Sequence, residues 1–345
     1  MTGSSSFASP YAARITGMGS YFPKRVMTND DLARDLAKRN LETSDEWIRE
    51  RTGIASRRVS EPGNPAEHNS TLGKFAALNA LEMAGKKVED IDQIIYATCT
   101  PDTIIPSTAC WVQHKLGAKR AFAYDVNAAC SGFVYGLTLA DQAIRAGNAK
   151  TVLVIGGEVL TSFLNWDDRT SCVLFGDGAG AAVVERVEAS SPNRILSTHL
   201  GSDGSLWELF YVISGGSNQE VTPAEIEKRS NKMFMKGKEI FKVATKTLAD
   251  YAVTALEAQG MTTSDLTWLV PHQANLRIIE AVAKRLDFPM SKVLVNIDRY
   301  GNTSAATVPT AMDEAIRTGK IKRGDTVLMD VFGAGLTYGS LLMRW

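Results

Sequence analysis

The sequence repeats itself at a spacing of about half its length, and this repeat constrains the fold more than any single motif. The segment Ala80–Gly85 resembles Ala255–Gly260 at a shift of 175, and Asp141–Gly147 resembles Asp313–Gly319 at a shift of 172. After the second pair, the strand patterns Thr151–Leu153 and Thr326–Leu328 match at a shift of 175. Solenoid repeats span only a few tens of residues, so these shifts indicate two domain-sized halves of similar topology.

The boundary between the halves is predicted near residue 189, where Ala189–Asn193 interrupts the apolar pattern with serine, proline and asparagine. Residues 1–13 are rich in serine and alanine and are expected to be a flexible N-terminus. The remainder then divides into an N-terminal half, residues 14–188, and a C-terminal half, residues 189–345.

Each half alternates apolar runs typical of buried strands with helical patterns. Strands are predicted at Gln93–Thr100, Ala121–Val126, Thr151–Gly156 and Ala179–Val187, and in the second half at Thr267–Pro271, Lys292–Ile297, Thr326–Phe332 and Leu336–Met343. Helices are predicted at Leu72–Met83, Gly132–Arg145, Phe241–Gln259 and Leu276–Leu286. Because the strand runs are apolar throughout, helices should cover both faces of each sheet. The sequence therefore predicts an α/β protein of two packed halves.

Composition excludes several classes of protein. The 345 residues carry 38 Lys and Arg against 38 Asp and Glu, and this balance argues against a dedicated nucleic-acid binder. The sequence contains no run of about 18 uncharged apolar residues, the length that a membrane-spanning helix needs, so we expect no membrane association and a cytoplasmic location. The four cysteines show no CxxC spacing, so neither a disulfide framework nor a zinc site is expected.

One cysteine stands out by its position. Cys130 lies in the sequence Ala-Ala-Cys-Ser-Gly, directly before the long apolar helix pattern that starts at Gly132. Unpaired N–H groups and the dipole at a helix N-terminus favour a thiolate, so we expect a lowered pKa for Cys130 and a role as nucleophile. The alternative is a small buried side chain, which is what an intracellular cysteine usually is.

Two further polar residues follow buried strands or open helices in the second half. His272, in Val-Pro-His-Gln-Ala-Asn, lies between a strand and a helix, where side chains project from the sheet edge. Asn302, in Gly-Asn-Thr-Ser, corresponds to Cys130 at the helix shift of 172. If the halves pack about a pseudo-twofold axis, the thiol and the amide both approach that axis. A pocket between the halves is then expected.

These three motifs together resemble those of the β-ketoacyl-acyl carrier protein synthase III family, the initiating condensing enzymes of type II fatty acid synthesis within the thiolase superfamily. The resemblance covers residues 14–345. It implies a thiolase fold with five αβαβα layers, a homodimer, and a Cys130-His272-Asn302 catalytic triad. It also implies that Cys130 attacks an acyl-CoA primer, while the backbone N–H groups of Cys130 and Ala334 bind the oxyanion.

The second substrate implied by the resemblance is malonyl-acyl carrier protein. Its decarboxylation produces an enolate that His272 and Asn302 stabilise, and the carbanion attacks acyl-Cys130 to release a 3-ketoacyl carrier protein, CO2 and the thiol. This chemistry requires neither a metal nor a redox cofactor, and none is expected.

Substrate contacts are also implied by the family motifs. Trp47 and Arg51 match residues that bind the adenine and a phosphate of CoA, with Arg169 as a second stacking partner. Basic residues that match family positions imply a docking patch for the acidic carrier protein; they are Lys242, Arg277, Lys284 and Arg285. The acyl pocket is expected to contain Phe332 and, from the partner subunit, Ile105, where the family often has phenylalanine.

Two alternatives remain open from the sequence. One is a related synthase or acyltransferase of secondary metabolism that uses the same triad with another primer or acceptor. The other is a non-catalytic acyl-binding dimer with an inert Cys130. The primer length is not predicted by the sequence, because the pocket depends on rotamers and on a loop of the second subunit.

Overall fold

In the computed structural model, which describes residues 9–345, the first half of the chain forms a five-stranded sheet. The strands of this half are β1 Tyr11–Tyr21, β2 Val26–Thr28, β3 Ser56–Arg58, β4 Gln93–Ala97, β5 Phe122–Val126, β6 Thr151–Val159 and β7 Asp177–Glu188. Its helices are α1 Asn29–Ala37, α2 Asp45–Thr52, α3 Asn69–Ala84, α4 Thr108–Leu116, α5 Gly132–Arg145 and α6 Arg169–Cys172. The sheet order is β1-β7-β6-β4-β5, with β4 parallel to both β5 and β6.

The second half forms a four-stranded sheet. Its strands are β8 Ile195–Ser202, β9 Phe210–Tyr211, β10 Phe234–Met235, β11 Trp268–Pro271, β12 Thr326–Gly333 and β13 Thr337–Arg344. Its helices are α7 Pro223–Glu227, α8 Gly237–Glu257, α9 Leu276–Arg285, α10 Ile297–Tyr300 and α11 Thr307–Arg317. The order β8-β13-β12-β11 repeats β1-β7-β6-β4 of the first sheet strand for strand, with the same parallel and antiparallel pairs. This topology agrees with the predicted duplication.

Three apolar cores separate five layers. Helices α3 and α4 pack on the outer face of the first sheet, α5 and α11 fill the space between the two sheets, and α8 and α9 cover the outer face of the second sheet. Burial of this much apolar surface is the main driving force for joining the halves. The order of layers is the αβαβα arrangement that the family resemblance implies.

One predicted strand is wrong. Residues 292–297 form a short turn and a single bridge between Val293 and Leu269 instead of a strand equivalent to β5. The side chain of Gln273 takes the place of a strand partner: its amide donates to the Leu294 carbonyl at 3.1 Å, and its oxygen accepts from the Asn296 N–H at 3.1 Å. The backbone is therefore satisfied without a longer ladder.

The flexible N-terminus predicted for residues 1–13 extends too far into the chain. Strand β1 begins at Tyr11, and Ala12 and Ala13 are buried and paired with β7, so residues 11–13 belong to the first sheet. Residues 1–8 lie outside the described residues. In the described part of the chain, the length and hydropathy of each helix fall short of what a membrane span needs.

Candidate active site

Cys130 lies in a tight turn between β5 and α5. Residues Ala129–Ser131 form one 3-10 turn, and Ala129 has a left-handed backbone with φ 46°. The second half repeats this geometry: Ser304–Ala306 form a 3-10 turn directly before α11, and Ser304 has φ 51°. The two turns are related by the shift of 175 seen in the sequence.

The predicted equivalence of Cys130 and Asn302 is therefore wrong by three positions, since Cys130 corresponds to Ala305. The two different shifts in the sequence have a simple structural cause. Helix α5 has 14 residues and α11 has 11, so the starts of the two helices keep the larger shift and their ends show the smaller one. The prediction applied the shift of the helix ends, 172, to the turns before the helices, where the shift is 175.

His272 follows β11 and is held at its backbone and at its ring. Its backbone N–H donates to the Asp330 carbonyl at 2.7 Å, and its Nδ1 lies 2.7 Å from the hydroxyl of Thr307. That hydroxyl donates to the Ser304 carbonyl at 2.9 Å, so it accepts from Nδ1–H in this arrangement. The ring nitrogen Nε2 then has a free lone pair. Burial lowers the pKa of His272 to about 3, so the imidazole is neutral.

Asn302 is fixed at both its backbone and its side chain. Its N–H donates to Leu174 at 2.8 Å, its carbonyl accepts from Gly176 at 3.0 Å, and its Oδ1 accepts from the Ser304 N–H at 2.8 Å. Within residues 9–345, Nδ2 donates to no protein acceptor. The amide is therefore oriented with its N–H groups available to a ligand.

A cavity of about 250 Å³ brings the predicted residues together. Of the predicted site residues, those that line it are Trp47, Arg51, Cys130, His272, Asn302, Phe332 and Ala334. It lies between the two halves, as predicted, because α2 and the Cys130 turn come from the first half and most other lining residues from the second. A thiol, an imidazole and an amide therefore line one cavity.

The ionisation of Cys130 differs from the prediction. Burial raises the pKa of the Cys130 thiol to about 12, and the nearby Glu158 carboxyl adds to this effect. The expected lowering by a helix N-terminus is thus outweighed by the loss of hydration. The resting site holds a neutral thiol next to a neutral imidazole, so the thiol must lose its proton as it reacts.

A glycine allows the two predicted oxyanion donors to approach each other. A Cβ on Gly333 would lie 2.8 Å from the backbone nitrogen of Cys130 and 3.0 Å from that of Ser131. Ala334 follows in the turn after β12, and its N–H has no acceptor within the described chain. Residue 333 must therefore be glycine for this loop to lie against the Cys130 turn.

The mouth of the cavity carries an aromatic ring between cations. The guanidinium of Arg51 lies 4.6 Å from the centre of the Trp47 ring, and that of Arg169 lies 4.8 Å from it. Ser44 caps helix α2, its side chain accepting from the Trp47 N–H, and the Asn275 amide donates to the Arg51 carbonyl at 3.0 Å. Arg169 contacts Trp47 without lining the cavity itself.

The remaining predicted contacts lie outside the cavity. All four basic residues of the predicted docking patch are exposed on α8 and α9, and none forms an ion pair within the described residues. They are Lys242, Arg277, Lys284 and Arg285. Ile105 is 86% exposed on the loop after β4 and does not reach the cavity of its own chain.

Two groups of residues were missed by the sequence reasoning. The first comes from the excursion between β8 and α8, which places Phe210 and Met235 against the cavity, followed by Ile240 and Phe241 at the start of α8. The second is the buried network of Thr307, Ser304 and Glu158 behind the polar side chains. The sequence signal for the first group is its apolar character, which does not distinguish a cavity lining from an ordinary core. The second group has no such signal.

In the described residues, no cluster of three or more His, Cys, Asp or Glu side chains is arranged to hold a metal ion. The polar groups of the cavity are instead one thiol, one imidazole, one amide and backbone N–H groups. Such a set can form and break a thioester and can stabilise a negative oxygen.

Comparisons with known proteins identify the family. The model for 3-oxoacyl-[acyl-carrier-protein (ACP)] synthase III matches residues 124–204, and the model for its C-terminal region matches residues 256–345. A β-ketoacyl-[acyl-carrier-protein] synthase III of Xanthomonas campestris is 51% identical over 333 residues, covering 96% of this chain and 98% of that protein. The chain belongs to the synthase III family. A synthase III of Roseiflexus castenholzii is 49% identical with the same coverage.

Solved structures of synthase III proteins have the same fold. The structure from Aquifex aeolicus is 44% identical with a TM-score of 0.86, and covers 96% of this chain and 100% of that one. The structure from Pseudomonas aeruginosa is 39% identical with a TM-score of 0.87, covering 97% and 98%. The predicted thiolase fold and family are thus confirmed.

Proposed function

We propose that this chain is an initiating condensing enzyme of type II fatty acid synthesis, which joins an acyl-CoA primer to malonyl-acyl carrier protein. The observation that carries the proposal is the shared cavity of Cys130, His272 and Asn302 in a chain of the synthase III family. Acetyl-CoA or another short acyl-CoA is the proposed primer. The products are a 3-ketoacyl carrier protein, CO2 and CoA.

In the first half-reaction, the Cys130 sulfur attacks the thioester carbonyl of the primer. The thiol proton passes to Nε2 of His272, which has a free lone pair when Nδ1–H donates to Thr307. The N–H groups of Cys130 and Ala334 bind the negative oxygen of the tetrahedral intermediate. The C–S bond to CoA then breaks, and His272 returns the proton to the departing sulfur. Cys130 is left as a thioester.

In the second half-reaction, the malonyl group loses CO2 and its electron pair passes to an enolate. The oxygen of this enolate accepts from Nδ2 of Asn302 and from Nε2–H of His272. Thr307 permits this second state of His272, because its hydroxyl can accept from Nδ1–H or donate to a bare Nδ1. The carbanion attacks the acyl carbon, and the Cys130 sulfur leaves and takes up one proton. Every step uses protein groups and substrates only, so no metal or redox cofactor is proposed.

The cavity mouth supports the proposed substrates. Trp47, with Arg51 and Arg169 on its ring, offers a stacking surface and positive charge for the adenine and phosphates of CoA. The exposed cations named above are carried by α8 and α9, two helices that also contribute residues to the cavity, and would attract an acidic carrier protein. Both substrates are water-soluble, which is consistent with the proposed cytoplasmic location.

We also infer a homodimer in which each chain completes the acyl pocket of the other. Strand β5 forms one edge of the first sheet, and its Phe122 side chain is 54% exposed. Ile104 and Ile105 are 84% and 86% exposed, which is costly for a pair of large apolar residues.

The first test is acylation of the purified protein by a panel of acyl-CoAs, without a malonyl donor. We expect one acyl group per chain, located on Cys130 by peptide mapping, and a loss of acylation in Cys130→Ala. Addition of malonyl-acyl carrier protein should then release CO2 and the 3-ketoacyl product. An unreactive Cys130 would contradict the proposal and favour an inert acyl-binding dimer.

One relative supports a second candidate function. A priming β-ketosynthase of a polyketide biosynthetic pathway is 35% identical with a TM-score of 0.85, and covers 96% of both chains. A synthase of secondary metabolism would acylate Cys130 in the same way but would use another primer or acceptor. Turnover with such an acceptor, and none with malonyl-acyl carrier protein of fatty acid synthesis, would favour it.

A further inference from the structure

A buried carboxylate lies directly behind the cavity and has no part in the steps above. Glu158, near the end of β6, is fully buried. Its oxygens accept from Thr98 Oγ1 at 2.9 Å, Thr100 Oγ1 at 2.5 Å, Ser304 Oγ at 3.2 Å, Cys99 Sγ at 3.3 Å and the Cys99 and Thr100 N–H groups at 3.1 Å. Few buried side chains receive so many donors.

The directions of these bonds favour the ionised form of Glu158. Thr98 Oγ1 accepts from the Asn69 amide and from the Thr100 N–H, and Thr100 Oγ1 accepts from the Val159 N–H. Both hydroxyl protons are therefore free to point at Glu158. Burial raises the pKa of Glu158, and the surrounding donors oppose that rise. The Cys99 and Thr100 N–H groups can only donate, and the Thr98 and Thr100 hydroxyls can donate at the same time, so the ionised carboxylate is the form that accepts from all of them.

One of these donors connects Glu158 to the Asn302 amide. Ser304 has a left-handed backbone, which is unfavourable for a serine and persists only where its surroundings enforce it. Its hydroxyl donates to Glu158 at 3.2 Å, which ties the residue to the carboxylate behind it. Its N–H donates to Asn302 Oδ1 at 2.8 Å. This bond decides which end of the Asn302 amide faces the cavity, because Nδ2 has no acceptor of its own among the described residues.

We propose that Glu158 is a positioning residue for Asn302, and that it acts through Ser304 to aim Nδ2 at the oxygen of the enolate. The inference deepens the proposed function and rests on it. It predicts a selective effect, since Asn302 is used only in decarboxylation and condensation. Acylation of Cys130 depends on the thiol, His272 and backbone N–H groups instead.

The charge of Glu158 should increase the difference between the effects on the two half-reactions. Its position near Cys130 makes the thiolate less favourable. Removing the charge should therefore not slow the transfer of an acyl group to Cys130, although it should misalign Asn302. A purely structural role for Glu158 would impair both half-reactions together.

The experiment measures the two half-reactions separately in Glu158→Gln. Acylation by acyl-CoA is followed by intact mass in a single turnover. Enzyme that is already acylated is then mixed with malonyl-acyl carrier protein, and CO2 release is measured. We expect decarboxylation to fall by about 10²-fold, the usual effect of losing one donor to a developing oxyanion, with acylation as fast as in the wild type or faster.

Two further variants make the result decisive. Ser304→Ala removes the link but keeps the N–H, so its decarboxylation should fall more than its acylation, even if Glu158→Gln does not fold. Thr98→Val removes a different donor to the same carboxylate and is the matched control, for which no selective loss is expected. Equal losses in both half-reactions, unchanged decarboxylation, or the same selective loss in Thr98→Val would overturn the inference. If the wild type releases no CO2, the proposed function itself fails, and the two outcomes are thus distinct.

Discussion

At the scale of single residues, the site combines reactive groups that are all neutral at rest. The thiol of Cys130 has a pKa of about 12 and the imidazole of His272 a pKa of about 3, in both cases because burial penalises the charged form. An ion pair between them is therefore not the resting state. Proton transfer accompanies attack on the primer, and the reactivity of Cys130 depends on substrate and on the oxyanion donors.

This environment predicts the pH dependence of Cys130 alkylation by iodoacetamide. Below the raised pKa, the thiolate fraction grows about tenfold per pH unit, so the rate should rise throughout pH 7–10 without a plateau. His272 titrates near pH 3 and adds no step in this range. Peptide mapping assigns the modified residue, and Cys130→Ser reports the background from the other cysteines. A plateau below pH 8 would show that the thiolate is preformed, as the sequence suggested.

At the scale of elements, the site depends on where strands and turns end. The Cys130 turn follows β5 and opens α5, His272 follows β11, and Gly333 ends β12. No larger residue fits at Gly333 without a shift of the backbone, because the backbone of the Cys130 turn occupies the space of its missing Cβ. The loop that carries Ala334 can approach only as closely as this contact permits.

We therefore predict that Gly333→Ala impairs acylation. The new methyl group would meet the Cys130 nitrogen at 2.8 Å, and the shift that relieves this contact moves Ala334 away from the oxyanion. A loss of about 10²-fold in single-turnover acylation is expected, as for the removal of an oxyanion donor. Gly204→Ala is the matched control, since no atom lies within 4 Å of its added Cβ. Acylation of Gly333→Ala at the wild-type rate would exclude this loop from the oxyanion site.

At the scale of the whole molecule, the duplication explains what could be predicted from the sequence. The repeat and the apolar runs led to two halves, most strands and four of the five helices of ten or more residues, and the motifs led to Cys130, His272 and Asn302. The sequence did not reveal that Gln273 replaces a strand at residues 292–297, nor that the excursion around Phe210 covers the cavity. Both depend on side-chain contacts between distant segments, which leave no periodic signal.

The assembly leads to the last prediction, which concerns Ile105. If a second copy places Ile105 at the base of the acyl pocket, Ile105→Trp should fill that pocket. The kcat/KM for longer acyl-CoAs should then fall about tenfold or more relative to acetyl-CoA, because excess volume in a closed apolar pocket costs about 1–3 kcal/mol. Ile104→Trp is the matched control, since Ile104 is equally exposed on the same loop.

Light scattering should give twice the 37.4 kDa of one chain for the wild type and both variants. The double mass is essential to the interpretation, because Ile105 lies outside the cavity of its own chain and can influence primer length only across an interface. A monomeric wild type with full activity would contradict the shared pocket. So would equal effects of the two substitutions, since they would indicate a change in the loop as a whole and not the filling of a pocket by one side chain.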